Sequence, residues 1–180
     1  MRVRYGVRRV RNRLTIPKKD TDMTKEEKEL LTKVLCEQLP YGVQVEIECY
    51  HNGILKGIEG DTISTDRGTN YPLRLVKPYL CPLPSMTESE AIDIVKLIKR
   101  LPRKHILEIK VEEDGIEATV DDGICMGVKY FIFFFEIVKS IAVFDYLNAK
   151  HFDIRGLIPM GLAIAAVGKD NPYKEKGGEE

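Results

Sequence analysis

The first apolar stripe along the chain repeats with the period of an α-helix. Its members are Leu30, Leu31, Val34 and Leu35. This spacing predicts a helix over residues 24–39, because side chains three and four positions apart share one helix face. Thr24 and Glu27 have the spacing of a capping box, in which each side chain bonds a free backbone N–H of the first turn. Pro40 is expected to stop the helix.

The next segment changes to a period of two, which is typical of a half-buried strand. Apolar and polar side chains alternate over residues 43–50, and the Asn52-Gly53 pair after them is a strong signal for a hairpin turn. Further short strands are predicted over residues 54–59, 62–65 and 71–76. Pro72 places the last of these at a sheet edge, since proline has no N–H to donate. We expect a small barrel-like meander with the first helix over one side.

The second half begins after an extended, proline-containing connector over residues 77–85. A second helix is predicted to start at Thr87, which repeats the capping-box spacing with Glu90. Its expected buried stripe consists of Ala91, Ile94, Val95, Ile98 and Leu101. Pro102 is expected to end this helix.

Three strands are predicted after the second helix. Residues 106–113 alternate, and the inward-facing side chains of this strand are expected to be Leu107, Ile109 and Val111. Asp114-Gly115 predicts a hairpin turn into a return strand over residues 116–120. Residues 128–133 are almost wholly apolar, which is expected of a strand covered on both faces.

A third helix is predicted to end near Lys150, and its start has two interpretations. Apolar side chains recur at helical spacing from Phe134 to Leu147, which favours an early start. Alternatively, the aromatic run stays extended as far as Val138, and Ser140 is the N-cap.

Together these elements predict an α+β protein. It has an N-terminal helix with a small antiparallel barrel-like meander, then a helix, a three-stranded antiparallel sheet and a C-terminal helix. Residues 23–84 form the helix-plus-meander half, and residues 85–167 form an α+β half packed on it. Residues 1–22 are a basic arm or an upstream extension of the translated frame, and residues 168–180 are a polar, flexible tail.

The formal net charge of zero hides an uneven distribution. Residues 1–19 carry eight basic groups and no acidic group, which leaves 20 basic and 28 acidic groups in the rest of the 180-residue chain. If residues 1–22 belong to the working protein, their arginines are candidates for phosphate contacts in a nucleic acid. These are Arg2, Arg4, Arg8, Arg9, Arg11 and Arg13. If translation starts at Met23, the protein is simply acidic and electrostatic attraction to phosphate largely disappears as an argument.

The densest polar cluster spans the end of the third helix and comprises Asp145, Asn148, His151, Asp153 and Arg155. A histidine beside carboxylates has the chemistry of a general base, which would make the chain an enzyme centred on His151. A second interpretation is a binding surface. A third is a structural helix end, where His151 meets the last carbonyls. In that interpretation Asp153 pairs locally with Arg155. We assign no catalytic residue, because no Ser or Cys nucleophile stands in a recognisable turn.

The sequence contains no motif for a cofactor or a metal. Four cysteines occur without a CxxC pair, and no glycine-rich loop precedes a helix start, so zinc, redox and dinucleotide motifs are unsupported. The acidic segments 112–114 and 121–123 lack the ligand spacing of a calcium loop and are interpreted as hairpin turns. We therefore predict neither a cofactor nor a metal site.

Hydropathy and cysteine usage indicate a compartment. No apolar segment follows the charged N-terminus, so a secretory signal is not indicated. The one membrane-like stretch, residues 124–144, is interrupted by Lys129, Glu136 and Lys139, which are costly inside a bilayer. We expect no membrane association, reduced thiols and a cytoplasmic location.

Five stretches carry a resemblance. They are residues 39–43 (LPYGV), 76–80 (VKPYL), 85–87 (SMT), 144–153 (FDYLNAKHFD) and 155–158 (RGLI). Together they resemble a group of small proteins without a known activity from Bacteroides-type gut bacteria and their phages or mobile elements. Members of that group typically begin near the position of Met23. The resemblance implies a cytoplasmic accessory protein and transfers no catalytic residue. The expected function is a protein-interaction module with an unknown protein partner.

Overall fold

The computed structural model describes residues 23–48, 50–99, 105–121, 127–134, 140–168 and 171–173. The basic arm with its six candidate arginines lies outside the described residues. So do Leu101, Pro102 and the proposed turn residues Asp122 and Gly123.

Three helices are described: α1 (Lys25–Gln38), α2 (Glu88–Lys99) and α3 (Ile141–Ala149). Both predicted capping boxes are confirmed. The Thr24 N–H donates to the Glu27 carboxylate at 2.8 Å, and the Thr87 N–H donates to the Glu90 carboxylate at 2.9 Å. Ser140 occupies the N-cap position of α3 with extended backbone angles, as the second interpretation expects. Phe134 is helical, as the first interpretation expects, and residues 135–139 between them lie outside the described residues.

The larger sheet has six strands in the order β4-β3-β2-β1-β5-β9. Their bounds are β1 (Gln44–Ile47), β2 (Asn52–Glu59), β3 (Thr62–Thr65), β4 (Gly68–Pro72), β5 (Val76–Leu80) and β9 (Ile164–Ala165). Neighbours are antiparallel except β5 and β9, which run parallel. β4 lies at one edge, as Pro72 predicts, and β9 lies at the other. The predicted strand over residues 71–76 is wrong in its bounds, because a 3₁₀ turn over Leu73–Leu75 separates β4 from β5.

The smaller sheet has three antiparallel strands in the order β6-β7-β8. They are β6 (Ile106–Val111), β7 (Gly115–Val120) and β8 (Val128–Phe133). Three helices with two sheets confirm the predicted α+β class.

The structure corrects the interpretation of Asn52-Gly53. Both residues belong to β2, because Glu46 pairs with Asn52 and Val45 pairs with Gly53. The chain therefore reverses before Asn52, where the Tyr50 N–H donates to the Ile47 carbonyl at 2.9 Å. Gly53 has no positive φ, and a Cβ placed there would lie 2.9 Å from the Asp66 carboxylate. Glycine at this position reflects the close approach of the neighbouring chain rather than the turn.

Residues 77–85 are also not a simple connector. Residues 76–80 form β5, which lies between β1 and β9, and a 3₁₀ turn over Leu83–Ser85 follows. The short β9, which has only two residues, returns from the C-terminal segment to pair Ile164 with Tyr79 and Ala165 with Leu80.

Two predictions about the smaller sheet are wrong. Leu107 is 53% exposed, because the pairing register of β6 shifts between Ile106 and Glu108 and turns Leu107 away from the core. β8 is not covered on both faces: Phe131 is 41% exposed and Phe133 is 38% exposed, whereas Ile132 between them is buried.

Two apolar cores follow the two halves of the chain. One lies between α1 and the larger sheet, and the other lies among α2, α3 and the smaller sheet. Leu157 and Ala163, which belong to the second half by sequence, are buried in the first core. The segment after α3 therefore joins the two halves by packing back onto the first.

Candidate functional site

The predicted cluster lies where the chain leaves α3. His151 has a positive φ of 57°, and its N–H donates to the Asn148 carbonyl at 3.0 Å. The chain then runs alongside Cys81: the Cys81 N–H donates to the His151 carbonyl, and the Asp153 N–H donates to the Cys81 carbonyl, each at 2.8 Å. These bonds fix residues 151–153 against the end of β5.

Gln38, the last residue of α1, joins Asn148 to His151. Its Nε2 donates to Asn148 Oδ1 at 3.0 Å, and its Oε1 accepts from His151 Nδ1 at 2.9 Å. All three side chains are buried, and Gln38 is only 1% exposed. Because an unpaired polar group is costly in the interior, the three residues satisfy one another as a unit.

Tyr173 covers one face of the His151 ring. The two rings are stacked with centroids 4.0 Å apart and an interplanar angle of 17°. The Tyr173 hydroxyl accepts from the Gln44 N–H at 3.0 Å and donates to the Tyr79 carbonyl at 2.8 Å. The sequence predicts a flexible tail over residues 168–180, but Tyr173 within it is packed on the body of the protein.

Burial sets the protonation state of this pair. Desolvation lowers the pKa of His151 to about 4, because the charged imidazolium would lie away from water. Desolvation also raises the pKa of Tyr173, with a smaller opposing effect from the Gln44 N–H. Both side chains are therefore neutral at pH 7.

Asp153 organises the loop that follows it. Its two carboxylate oxygens accept from the N–H groups of Leu157 and Ile158, each at 2.8 Å, and its side chain is buried. The carboxylate thereby anchors the turn that delivers Leu157 to the first core.

Arg155 pairs with Glu37 of α1 and not with Asp153, which corrects the predicted local pair. Its Nε donates to Glu37 Oε2 at 2.8 Å, and a second N–H donates to Oε1, so the contact is bidentate. The Glu37 carboxylate raises the pKa of Arg155, mainly through this hydrogen bond. Asp145, the fifth member of the predicted cluster, is exposed on α3 and lies outside the network.

The arrangement is suited to holding the fold together. His151 has Nδ1 engaged by Gln38 and one ring face covered by Tyr173, and the Asp153 carboxylate is bonded to backbone N–H groups. The contacts are structural, but they differ from the predicted helix end, because the His151 ring bonds the Gln38 side chain and not the last carbonyls of α3. Sequence reasoning misses Gln38 and Glu37, since each meets its partner more than 100 residues away with no local motif. It also misses Tyr173, which reaches His151 only by tertiary packing.

A second polar group surrounds the β1–β2 turn. His51 Nε2 lies 3.2 Å from the Tyr71 hydroxyl, whereas its buried Nδ1 has no hydrogen-bond partner among the described residues. A cavity of about 310 Å³ opens beside it and is lined by Glu46, Ile47, Glu48, Tyr50, His51 and Asn52. Within the described ranges, no three His, Cys, Asp or Glu side chains are placed to hold a metal ion.

The outward edge of β8 at Lys129 and Phe131 is the other open feature among the described residues. The Phe134 N–H donates to the Asp114 carbonyl, so even-numbered residues of β8 bond towards β7 and odd-numbered ones point away. The backbone groups of Lys129 and Phe131 therefore face outwards. Among the residues that the structure describes, β8 pairs with β7 alone.

The cysteines and the helices bear on the expected compartment. Cys36 is exposed and Cys81 half-buried, and both are free thiols; Cys49 and Cys125 lie outside the described residues. No described helix combines the length and the apolar character needed to cross a bilayer.

Comparison with known proteins adds no assignment. No family model, no curated protein and no solved structure matches this chain.

Proposed function

We propose that this chain is a protein-interaction module that binds an extended segment of a protein partner along the free edge of β8. The observation that carries the proposal is the row of outward-facing backbone groups at Lys129 and Phe131, on a strand with no proline and one charged side chain. Such an edge adds a further strand readily, since the incoming backbone satisfies N–H and C=O groups.

The side chains on the outer face of β8 favour the same function. Phe131 and Phe133 form an edge-to-face pair with centroids 4.8 Å apart, and each remains more than one-third exposed. Lys129 on the same face is neutralised by Glu117 at 3.0 Å. The exposed part of the edge is therefore apolar, and an extended segment with apolar side chains at alternate positions fits it.

The network around His151 supports a binding role rather than competing with it. Its polar groups form hydrogen bonds with each other and with the backbone. These bonds fix α1, α3 and the end of β5 relative to one another. A rigid body that presents an open strand is what an interaction module requires. The resemblance to phage and mobile-element proteins suggests an accessory role in the cytoplasm, where the free thiols of Cys36 and Cys81 remain reduced.

The test uses a synthetic eight-residue peptide in which valine and threonine alternate between terminal lysines. Amide hydrogen exchange is followed by NMR in the full chain at low micromolar concentration, with and without the peptide. We expect the peptide to slow exchange at the Lys129 and Phe131 amides and to leave those of β7 unchanged. Phe131→Pro removes one outward N–H without removing a bond to β7, and it should abolish the protection.

Two results would overturn the proposal. One is an unchanged exchange rate at Lys129 and Phe131 at millimolar peptide. The other is equal protection of Lys129 in the wild-type chain and in Phe131→Pro. Leu107→Thr is the matched control, because it removes an exposed apolar side chain from the opposite edge of the same sheet.

A further inference from the structure

We infer that the strand that pairs with β8 is β8 of a second copy of this chain, in an antiparallel arrangement about a two-fold axis at Tyr130. This inference rests on the function proposed above and names its partner. It joins two three-stranded sheets into one sheet of six strands.

The backbone pattern of β8 suits self-pairing. In the register that places Tyr130 opposite Tyr130 of the second copy, Lys129 of each copy stands opposite Phe131 of the other. Both residues direct their N–H and C=O groups away from β7, so two hydrogen-bonded pairs form and supply four inter-chain bonds. The two-fold axis makes one strand complementary to itself.

The side chains match in the same register. Alternation is preserved on both faces, so Val128, Tyr130 and Ile132 of each copy continue the inner, core-facing row. On the outer face the aliphatic stem of Lys129 comes beside the exposed ring of Phe131 of the second copy, while its ammonium stays with Glu117.

Charge favours a second copy over a charged partner. The outer face of the sheet carries Glu108 with Lys110 at 3.3 Å and Glu117 with Lys129 at 3.0 Å, so its charges are already compensated within one chain. A strongly acidic or basic segment would leave its own charges unpaired on this face. In the self-paired register each Lys129 keeps its Glu117, and no two like charges stand directly opposite.

The experiment measures the mass of the full chain in solution by sedimentation equilibrium from 1 to 500 µM. We expect a monomer–dimer equilibrium in which the Lys129 and Phe131 amides become protected from hydrogen exchange as the dimer forms. Phe131→Pro should raise the dimer dissociation constant at least tenfold. Phe131→Lys, which leaves every backbone bond intact and places like charges together, should raise it by a similar factor. Leu107→Thr should leave it unchanged.

The outcomes separate this inference from the proposed function. A monomer throughout the concentration range overturns the inference, and so does a dimer that Phe131→Lys and Phe131→Pro leave intact. If the chain stays monomeric while the valine–threonine peptide protects Lys129 and Phe131, β8 still binds a strand, and only the identity of the partner is wrong. If neither the peptide nor a second copy protects these amides, both proposals fail.

Discussion

Oε1 of Gln38 accepts a hydrogen bond from Nδ1 of His151 at 2.9 Å, although the two residues are 113 positions apart in the chain. The same Gln38 side chain donates to Asn148, so one amide connects the C-terminal end of α1 to the C-terminal end of α3. The Gln38 side chain is 1% exposed and forms hydrogen bonds with two other buried side chains. Removing its polar atoms should therefore lower the free energy of unfolding strongly.

Gln38→Leu should destabilise the protein strongly. Leucine has a similar size but no polar atoms, so Asn148 Oδ1 and His151 Nδ1 lose their partners while still buried. Each unsatisfied group costs about 1–3 kcal/mol, and we expect a loss of roughly 2–4 kcal/mol in the free energy of unfolding measured with urea. Cys36→Ala, an exposed change on the same helix, serves as the control and should stay within about 0.5 kcal/mol of wild type. A Gln38→Leu protein as stable as this control would contradict the network.

The lowered pKa of His151 should make stability fall on acidification. The unfolded chain binds a proton at this histidine near its ordinary pKa of 6.5, whereas the folded protein resists protonation until about pH 4. The unfolded state therefore binds more protons between these values, and the free energy of unfolding decreases as pH falls through that window. From pH 7.5 to pH 4.5 we expect His151 to contribute a loss of about 2–3 kcal/mol.

The measurement compares urea unfolding of the wild-type chain with that of His151→Asn at both pH values. Asparagine tolerates the positive φ of position 151, so the backbone is retained while the titrating group is removed. Other groups titrate equally in both proteins and cancel in the difference. The same pH dependence in the two proteins would show that His151 is not the group responsible.

The contact between Arg155 and Glu37 should contribute more than an ordinary surface ion pair. It is bidentate, and both side chains are less than one-third exposed. Arg155→Lys keeps the charge but cannot form two parallel bonds, and we expect it to cost about 1 kcal/mol. A double-mutant cycle with Glu37→Gln in urea unfolding isolates the coupling. The exposed pair Lys25–Glu29 provides the comparison and should show coupling close to zero.

Local patterns account for most of what sequence reasoning predicts correctly. Thr24 with Glu27, and Thr87 with Glu90, signal helix starts because both partners lie within one turn. The six-strand order depends instead on β9, whose two residues are too short to show any period. The same limit applies to the site. Asn148, His151 and Asp153 are close in sequence, so the sequence pattern groups them. Gln38, Glu37 and Tyr173 reach this group only through tertiary packing.

The two hairpin signals show another limit of sequence reasoning. Asn52-Gly53 and Asp114-Gly115 both lie close to a hairpin, but the turn predicted at Asn52-Gly53 is wrong. Gly53 lies within β2, Gly115 is the first residue of β7, and neither has a positive φ. A sequence does not distinguish a glycine that adopts a positive φ in a turn from one that allows a neighbouring strand to pack closely. The distinction requires the distance to the opposing strand.

Gly115→Ala tests that distinction. A Cβ at position 115 would lie 2.6 Å from the carbonyl oxygen of Ile132, a backbone atom of β8 that cannot rotate aside. We expect the β7–β8 pair to distort and the free energy of unfolding to fall by roughly 1–3 kcal/mol. Gly53→Ala is the matched comparison, because its nearest neighbour is a side-chain oxygen of Asp66 at 2.9 Å and not a backbone atom, and it should cost less. The close-contact explanation is contradicted if Gly115→Ala and Gly53→Ala lower the free energy of unfolding by similar amounts. It is also contradicted if Gly115→Ala leaves amide exchange in β8 unchanged.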